Sequence, residues 1–136
     1  MLKHSSLAYS FARKLRTELD VPIGILNTPV GGTCIETWLS REYFYDAITD
    51  YAGIHYTAYD HIISTDLYSS GALYHQKIEA LEGFGISGTI WYQGESNSNF
   101  SYRYAELLSL LKNSWSNAFG FENNSMPFIF TQVAPD

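Results

Sequence analysis

Apolar positions in this chain recur first with a helical period. Ala8, Phe11, Ala12, Leu15 and Leu19 share one face and Arg13, Lys14, Arg16 and Glu18 the other, which predicts an amphipathic helix from Ser5 to Leu19. After Pro22 the pattern changes to a short apolar run of strand type, Ile23-Gly24-Ile25-Leu26, which stops at Asn27-Thr28-Pro29 ahead of the pair Gly31-Gly32. Ile35, Trp38 and Leu39 then make one apolar face of a short helical turn. Between Arg41 and Ser70 no period is sustained, so residues 41–70 are expected to form a long insertion rich in aromatics. Tyr74, Ile78 and Leu81 mark a second helix, which Gly83 and Gly85 close. Ile86 to Tyr92 reads as a second strand, Tyr104, Leu107, Leu108, Leu111 and Trp115 as one face of a third helix, and Phe128 to Val133 as a last strand.

Helices alternating with short, almost wholly apolar strands predict an α/β fold with a parallel sheet covered on both faces. Parallel strands share a direction, so their carboxyl ends fall on one edge. Here those ends lead into Asn27–Thr33, Gln93–Asn97 and Gln132–Asp136, and that edge is where a ligand site is expected.

The chain has 136 residues, enough for one domain with its own core, so no disulfide or metal staple is needed. Cys34 is the single cysteine and cannot form an internal bridge. A net charge of −6 without a basic run removes the electrostatic footprint of a nucleic-acid binder. No stretch is apolar for long enough to span a bilayer, and the first residues lead into an amphipathic helix rather than a signal peptide. Eleven Tyr and three Trp suit sugar faces as well as a core.

Candidate chemistry gathers at Trp91-Tyr92-Gln93-Gly94-Glu95-Ser96-Asn97, where a buried strand ends and polar residues begin abruptly. From the residues alone, a strand end presenting side chains to a cleft and a turn with a helix cap are both open. Gly94-Glu95-Ser96-Asn97-Ser98 falls one residue short of the G-x-S-x-G nucleophile elbow. Ser98 replaces its last glycine, and His4, His55, His61 and His75 all precede Ser96, whereas the elbow's His follows its Ser. Ser96 is therefore disfavoured as a nucleophile. Gly31-Gly32-Thr33 could present main-chain N–H groups to an anion, but it lacks the spacing and Lys of a phosphate loop. The four His and the carboxylates show no metal-ligand spacing, so neither a metal nor a cofactor is expected. His75, beside Tyr74, reads as a buried or half-buried hydrogen-bonding residue.

Two blocks, Val21 through Trp38 and Gly71 through Asn97, resemble the sialate O-acetylesterase (SASA) family of the SGNH/GDSL hydrolase superfamily in order and separation. The string Trp91 to Asn97 is the specific part, and Gly31-Gly32-Thr33 followed by Ile35 and Trp38 supports it. The resemblance implies a flavodoxin-like three-layer α/β/α sandwich and hydrolysis of acetyl esters on sugars, sialic acids being the best-known substrates. It implies an oxyanion hole at Gly31, Gly32 and Gln93, with Glu95, Ser96 and Asn97 binding substrate or supporting that loop. Relatives are often periplasmic or secreted. The family's G-Q-S-N-M block with the nucleophilic Ser and its D-x-x-H block are both missing from these residues. The chain is accordingly expected to be a partial domain over 1–136, an internal segment inactive by itself. A non-catalytic carbohydrate-binding or purely structural fragment is the alternative.

Overall fold

A computed structural model describes residues 5–44 and 70–133. Two compact units divide at the glycine pair, the first running to Gly31 and the second starting at Gly32.

In the first unit, helix α1 spans Ser6–Leu19. Ser5 caps it, its side-chain oxygen accepting the N–H of Ala8 at 3.4 Å, and this satisfies one of the otherwise orphaned donors of the first turn. The helix ends where Asp20 turns left-handed at φ 52° and donates to the carbonyl of Arg16. The strand expected at Ile23–Leu26 is not formed. A strand exists only through hydrogen bonds to a neighbour, and the described residues of the first unit contain no strand for it to pair with.

The second unit is built around a parallel pair, β1 (Thr89–Trp91) and β2 (Phe128–Phe130), in the register Thr89 to Phe128, Ile90 to Ile129 and Trp91 to Phe130. Helix α2, Tyr104–Ala118, makes the crossover. Leu107, Leu111, Ser114 and Trp115 form its buried face, so the helical period read from sequence is the one that packs. Both strands are shorter than their apolar runs, because hydrogen-bonded pairing, not apolarity, sets their ends. The expected α/β class holds, with a small sheet of two strands among the described residues.

Ile35–Trp38 form a tight helical turn in which Ile35, Glu36, Thr37 and Trp38 are all buried. Thr37 Oγ1 accepts the N–H of Leu73 at 3.2 Å, and the Glu36 carbonyl accepts that of Gly71 at 3.1 Å. These bonds fasten the turn to the start of the next helical segment. There the sequence suggests an α-period, but Tyr74–Ile78 wind as a π-turn. The two most deeply buried side chains are Leu73 and Ile78, five residues apart, at 0% and 2% exposure, a separation that a π-turn brings nearer to one face than an α-turn does. His75 is exposed and paired with Glu79, where a buried or half-buried position was expected. Of the insertion expected over 41–70, residues 45–69 lie outside the described residues, as do His4, His55 and His61.

All three tryptophans of the chain meet in the core. Trp38, Trp91 and Trp115 pack edge to face, with ring centres 6.0, 6.4 and 5.7 Å apart, which is the geometry that ring quadrupoles favour. Each indole N–H is satisfied: Trp38 donates to Thr33 Oγ1, Trp91 to the Tyr104 hydroxyl and Trp115 to the Trp38 carbonyl, all at 3.0 Å. Two of these three bonds hold residues beside the candidate site, so the core and the site are joined by hydrogen bonds as well as by packing.

Candidate active site

Two turns converge at the carboxyl end of β1. The first is Gly32-Thr33-Cys34, where Gly32 takes φ +73°, a conformation costly for a residue with a Cβ. Thr33 is 3% exposed and fixed by the Trp38 indole. The second is Gln93-Gly94-Glu95-Ser96-Asn97. A methyl group on Gly94 would lie 2.8 Å from Val133 Cγ2, so only glycine lets the chain leave the sheet there without displacing its neighbour.

Side chains clasp the two turns together. Gln93 Nε2 donates to the Thr33 carbonyl at 2.9 Å and to Asn97 Oδ1 at 2.8 Å. Asn97 Oδ1 also accepts the N–H of Ile35 at 3.0 Å, while Asn97 Nδ2 donates to Glu36 Oε2 at 2.9 Å. The Cys34 thiol donates to the Ser96 carbonyl at 3.3 Å. Burial, and after it the charge of Glu36, pushes the thiol's pKa up, which keeps the proton that this bond uses.

Behind Gln93 stands Tyr104, whose single hydroxyl proton is shared between the Gln93 main-chain oxygen at 2.6 Å and the side-chain oxygen at 2.8 Å, while its oxygen accepts from the Trp91 indole. Desolvation raises the phenol's pKa; the Trp91 bond acts the other way, and the charges of Glu95 and Glu36 add to the rise. The carboxamide is thereby oriented with its oxygen toward the core and its NH₂ toward the glycine turn. A neutral NH₂ and the main-chain N–H groups of a glycine turn are donors suited to a developing oxyanion.

Comparison with known proteins shows the family. The profile of the family "Carbohydrate esterase, sialic acid-specific acetylesterase" matches residues 2–136. The chain belongs to this SASA family. Human sialate O-acetylesterase is 30% identical over 139 residues, taking in 97% of this chain and 26% of the human protein. The Pongo abelii sialate O-acetylesterase is 29% identical over 138 residues, with the same two coverages of 97% and 26%. A solved carbohydrate acetylesterase from Xanthomonas citri superposes with a TM-score of 0.72 at 29% identity, covering 92% of this chain and 25% of that one. The chain spans about a quarter of the length of these relatives.

Of the site residues that the SASA resemblance implies, Gly32, Gln93 and Asn97 are brought together here. Gly31 closes the first unit and is exposed. Glu95 and Ser96 are exposed, whereas Asn97 is 2% exposed and wholly engaged with protein groups. Two residues of the clasp escaped the sequence reading. Tyr104 counts there only as one apolar position of a helix, because nothing in its spacing marks a hydroxyl aimed at Gln93. Glu36 did leave a signal: a carboxylate between Ile35 and Trp38 on a turn with a buried face must be paired within the protein.

Proposed function

We propose that these residues form the central part of a carbohydrate O-acetylesterase acting on acetylated sugars, sialic acids among them. The clasp between the Gly32–Cys34 turn and the Gln93–Asn97 turn supports this reading, since it holds a carboxamide NH₂ beside a glycine turn, the two kinds of group that an oxyanion hole uses. In the reaction a Ser outside this segment adds to the acetyl carbonyl, and negative charge collects on its oxygen. The main-chain N–H of Gly32 and the Nε2 of Gln93 receive that charge, each donor contributing about 3 kcal/mol of barrier lowering.

Both Nε2 protons of Gln93 are engaged before substrate arrives. The one on Asn97 Oδ1 is shared with the oxyanion as charge develops, the amide staying in place, and Asn97 Oδ1 keeps the Ile35 N–H throughout. Glu95 and Ser96, exposed on the same turn, face the sugar.

Residues 1–136 assayed alone release no acetate, since a hydrolase triad without nucleophile and base loses on the order of a million-fold in rate. The deciding experiment is to read the DNA flanking the coding segment and to assay the complete polypeptide on O-acetylated sialic acid and on an acetylated neutral sugar. An upstream G-Q-S-N string, a downstream D-x-x-H string and acetate release support the reading. Flanks without those strings, with binding of acetylated sugars but no turnover, would leave a carbohydrate-binding segment instead.

A further inference from the structure

Glu36 brings a carboxylate, with the residue only 4% exposed, to the inner side of the two clasped turns. We propose that Glu36 is a positioning residue: acting through Asn97, it fixes the carboxamide of Gln93 in the orientation that donates toward the glycine turn. The proposal rests on the reading of Gln93 as an oxyanion donor.

The polarity of the chain of bonds is dictated at both ends. The Ile35 main-chain N–H can only donate, so the Asn97 atom it meets at 3.0 Å is Oδ1. Asn97 Nδ2 is then left facing Glu36 Oε2 at 2.9 Å, and a carboxylate only accepts. Turned over, Asn97 would set a donor against the Ile35 N–H and the Gln93 NH₂, and an acceptor against the carboxylate. Asn97 is 2% exposed, so water cannot relieve such mismatches, and an unmet buried group is costly. With Asn97 so oriented, its Oδ1 meets Gln93 Nε2 at 2.8 Å while the Thr33 carbonyl takes the same nitrogen at 2.9 Å. Glu36 therefore acts through one intermediate, together with the Thr33 carbonyl and the Tyr104 hydroxyl, to hold the Nε2 end of the Gln93 amide toward the Gly32–Cys34 turn, although it does not bond to Gln93 in this chain of contacts.

Reversing the polarity tests the relay. Asn97→Asp sets a second carboxylate against Glu36, whereas Asn97→Asp combined with Glu36→Gln returns a donor at 36 and acceptors toward Ile35 and Gln93. The readout is exchange of the glutamine side-chain amide protons in the ¹⁵N-labelled chain, with the Gln93 signals identified by their loss in Gln93→Leu. Gln76 and Gln132 are exposed and serve as internal references. In the parent chain the Gln93 protons exchange about tenfold more slowly than the references. Asn97→Asp abolishes that protection and the double variant restores it. Protection that survives Asn97→Asp overturns the proposal, and so does a double variant that folds or protects no better than Asn97→Asp. A separate measurement distinguishes the two ideas: in the complete polypeptide, Gln93→Ala lowers kcat at least about a hundredfold. Unchanged kcat with a restoring double variant removes the oxyanion reading and keeps the relay as structure. A lost kcat with no restoration removes the relay alone.

Discussion

The Tyr104 hydroxyl sits 2.6 Å from the main-chain oxygen of Gln93 and 2.8 Å from its side-chain oxygen. One phenol thus holds both ends of the residue on which the site turns, and it is itself held by Trp91 at 3.0 Å. Removing the hydroxyl in Tyr104→Phe strands the Trp91 N–H and the Gln93 carboxamide oxygen, and should lower stability by about 1–3 kcal/mol in urea unfolding.

Alkaline pH should act on the same group. Burial raises the Tyr104 pKa, and that of Tyr74, whose hydroxyl donates to Glu82 Oε1 at 2.8 Å, is raised by burial and by that partner. A raised phenol means that the fold favours the neutral form. The associated stability is complete below the unfolded value of about 10 and is lost as pH rises through the higher folded values. Unfolding free energy measured from pH 8 upward should stay flat and then fall beyond that point. Tyr104→Phe should show a shallower fall than the parent, and an equal slope would remove Tyr104 as a cause.

Gly94→Ala places a methyl group 2.8 Å from Val133 Cγ2. Overpacking of this kind costs about 1–3 kcal/mol. The space can be returned from the other side, so Val133→Ala in the same chain should recover a good part of the loss. A double variant no more stable than Gly94→Ala would mean that backbone conformation, not the Val133 contact, requires the glycine.

Ser116 is 0% exposed, and its Oγ finds no hydrogen-bond partner among the described residues. Ser116→Ala removes an unsatisfied hydroxyl and installs the best helix former, so stability should rise by about 0.5–1.5 kcal/mol. A drop in the melting temperature would reveal a bond that the hydroxyl does make.

What the sequence made legible was set by local physics. The limits of α1 follow from Ser5 and Asp20, and the face of α2 follows from Leu107, Leu111 and Trp115; both depend on residues within two turns of each other. The turns bearing Gly32 and Gln93 do meet, but not by the shared strand direction expected: no strand among the described residues leads into Gly32, and the Gln93–Thr33 bond at 2.9 Å joins them instead. The π-turn was not legible, because the five-residue separation of Leu73 and Ile78 selects it only once both are buried, and what packs on them decides that. Nor was the unpaired Ile23–Leu26 run, since apolarity does not supply the neighbour that a strand needs. The Glu36–Asn97 contact spans 61 positions, and no periodicity reaches that far.

The meeting of Trp38, Trp91 and Trp115 has an optical consequence. These indoles are the chain's whole complement, and ring centres 5.7 to 6.4 Å apart lie well inside the range of resonance transfer and exciton coupling. Emission anisotropy and near-ultraviolet dichroism of the untouched chain should therefore report, without any attached dye, whether the three segments that carry the rim have assembled.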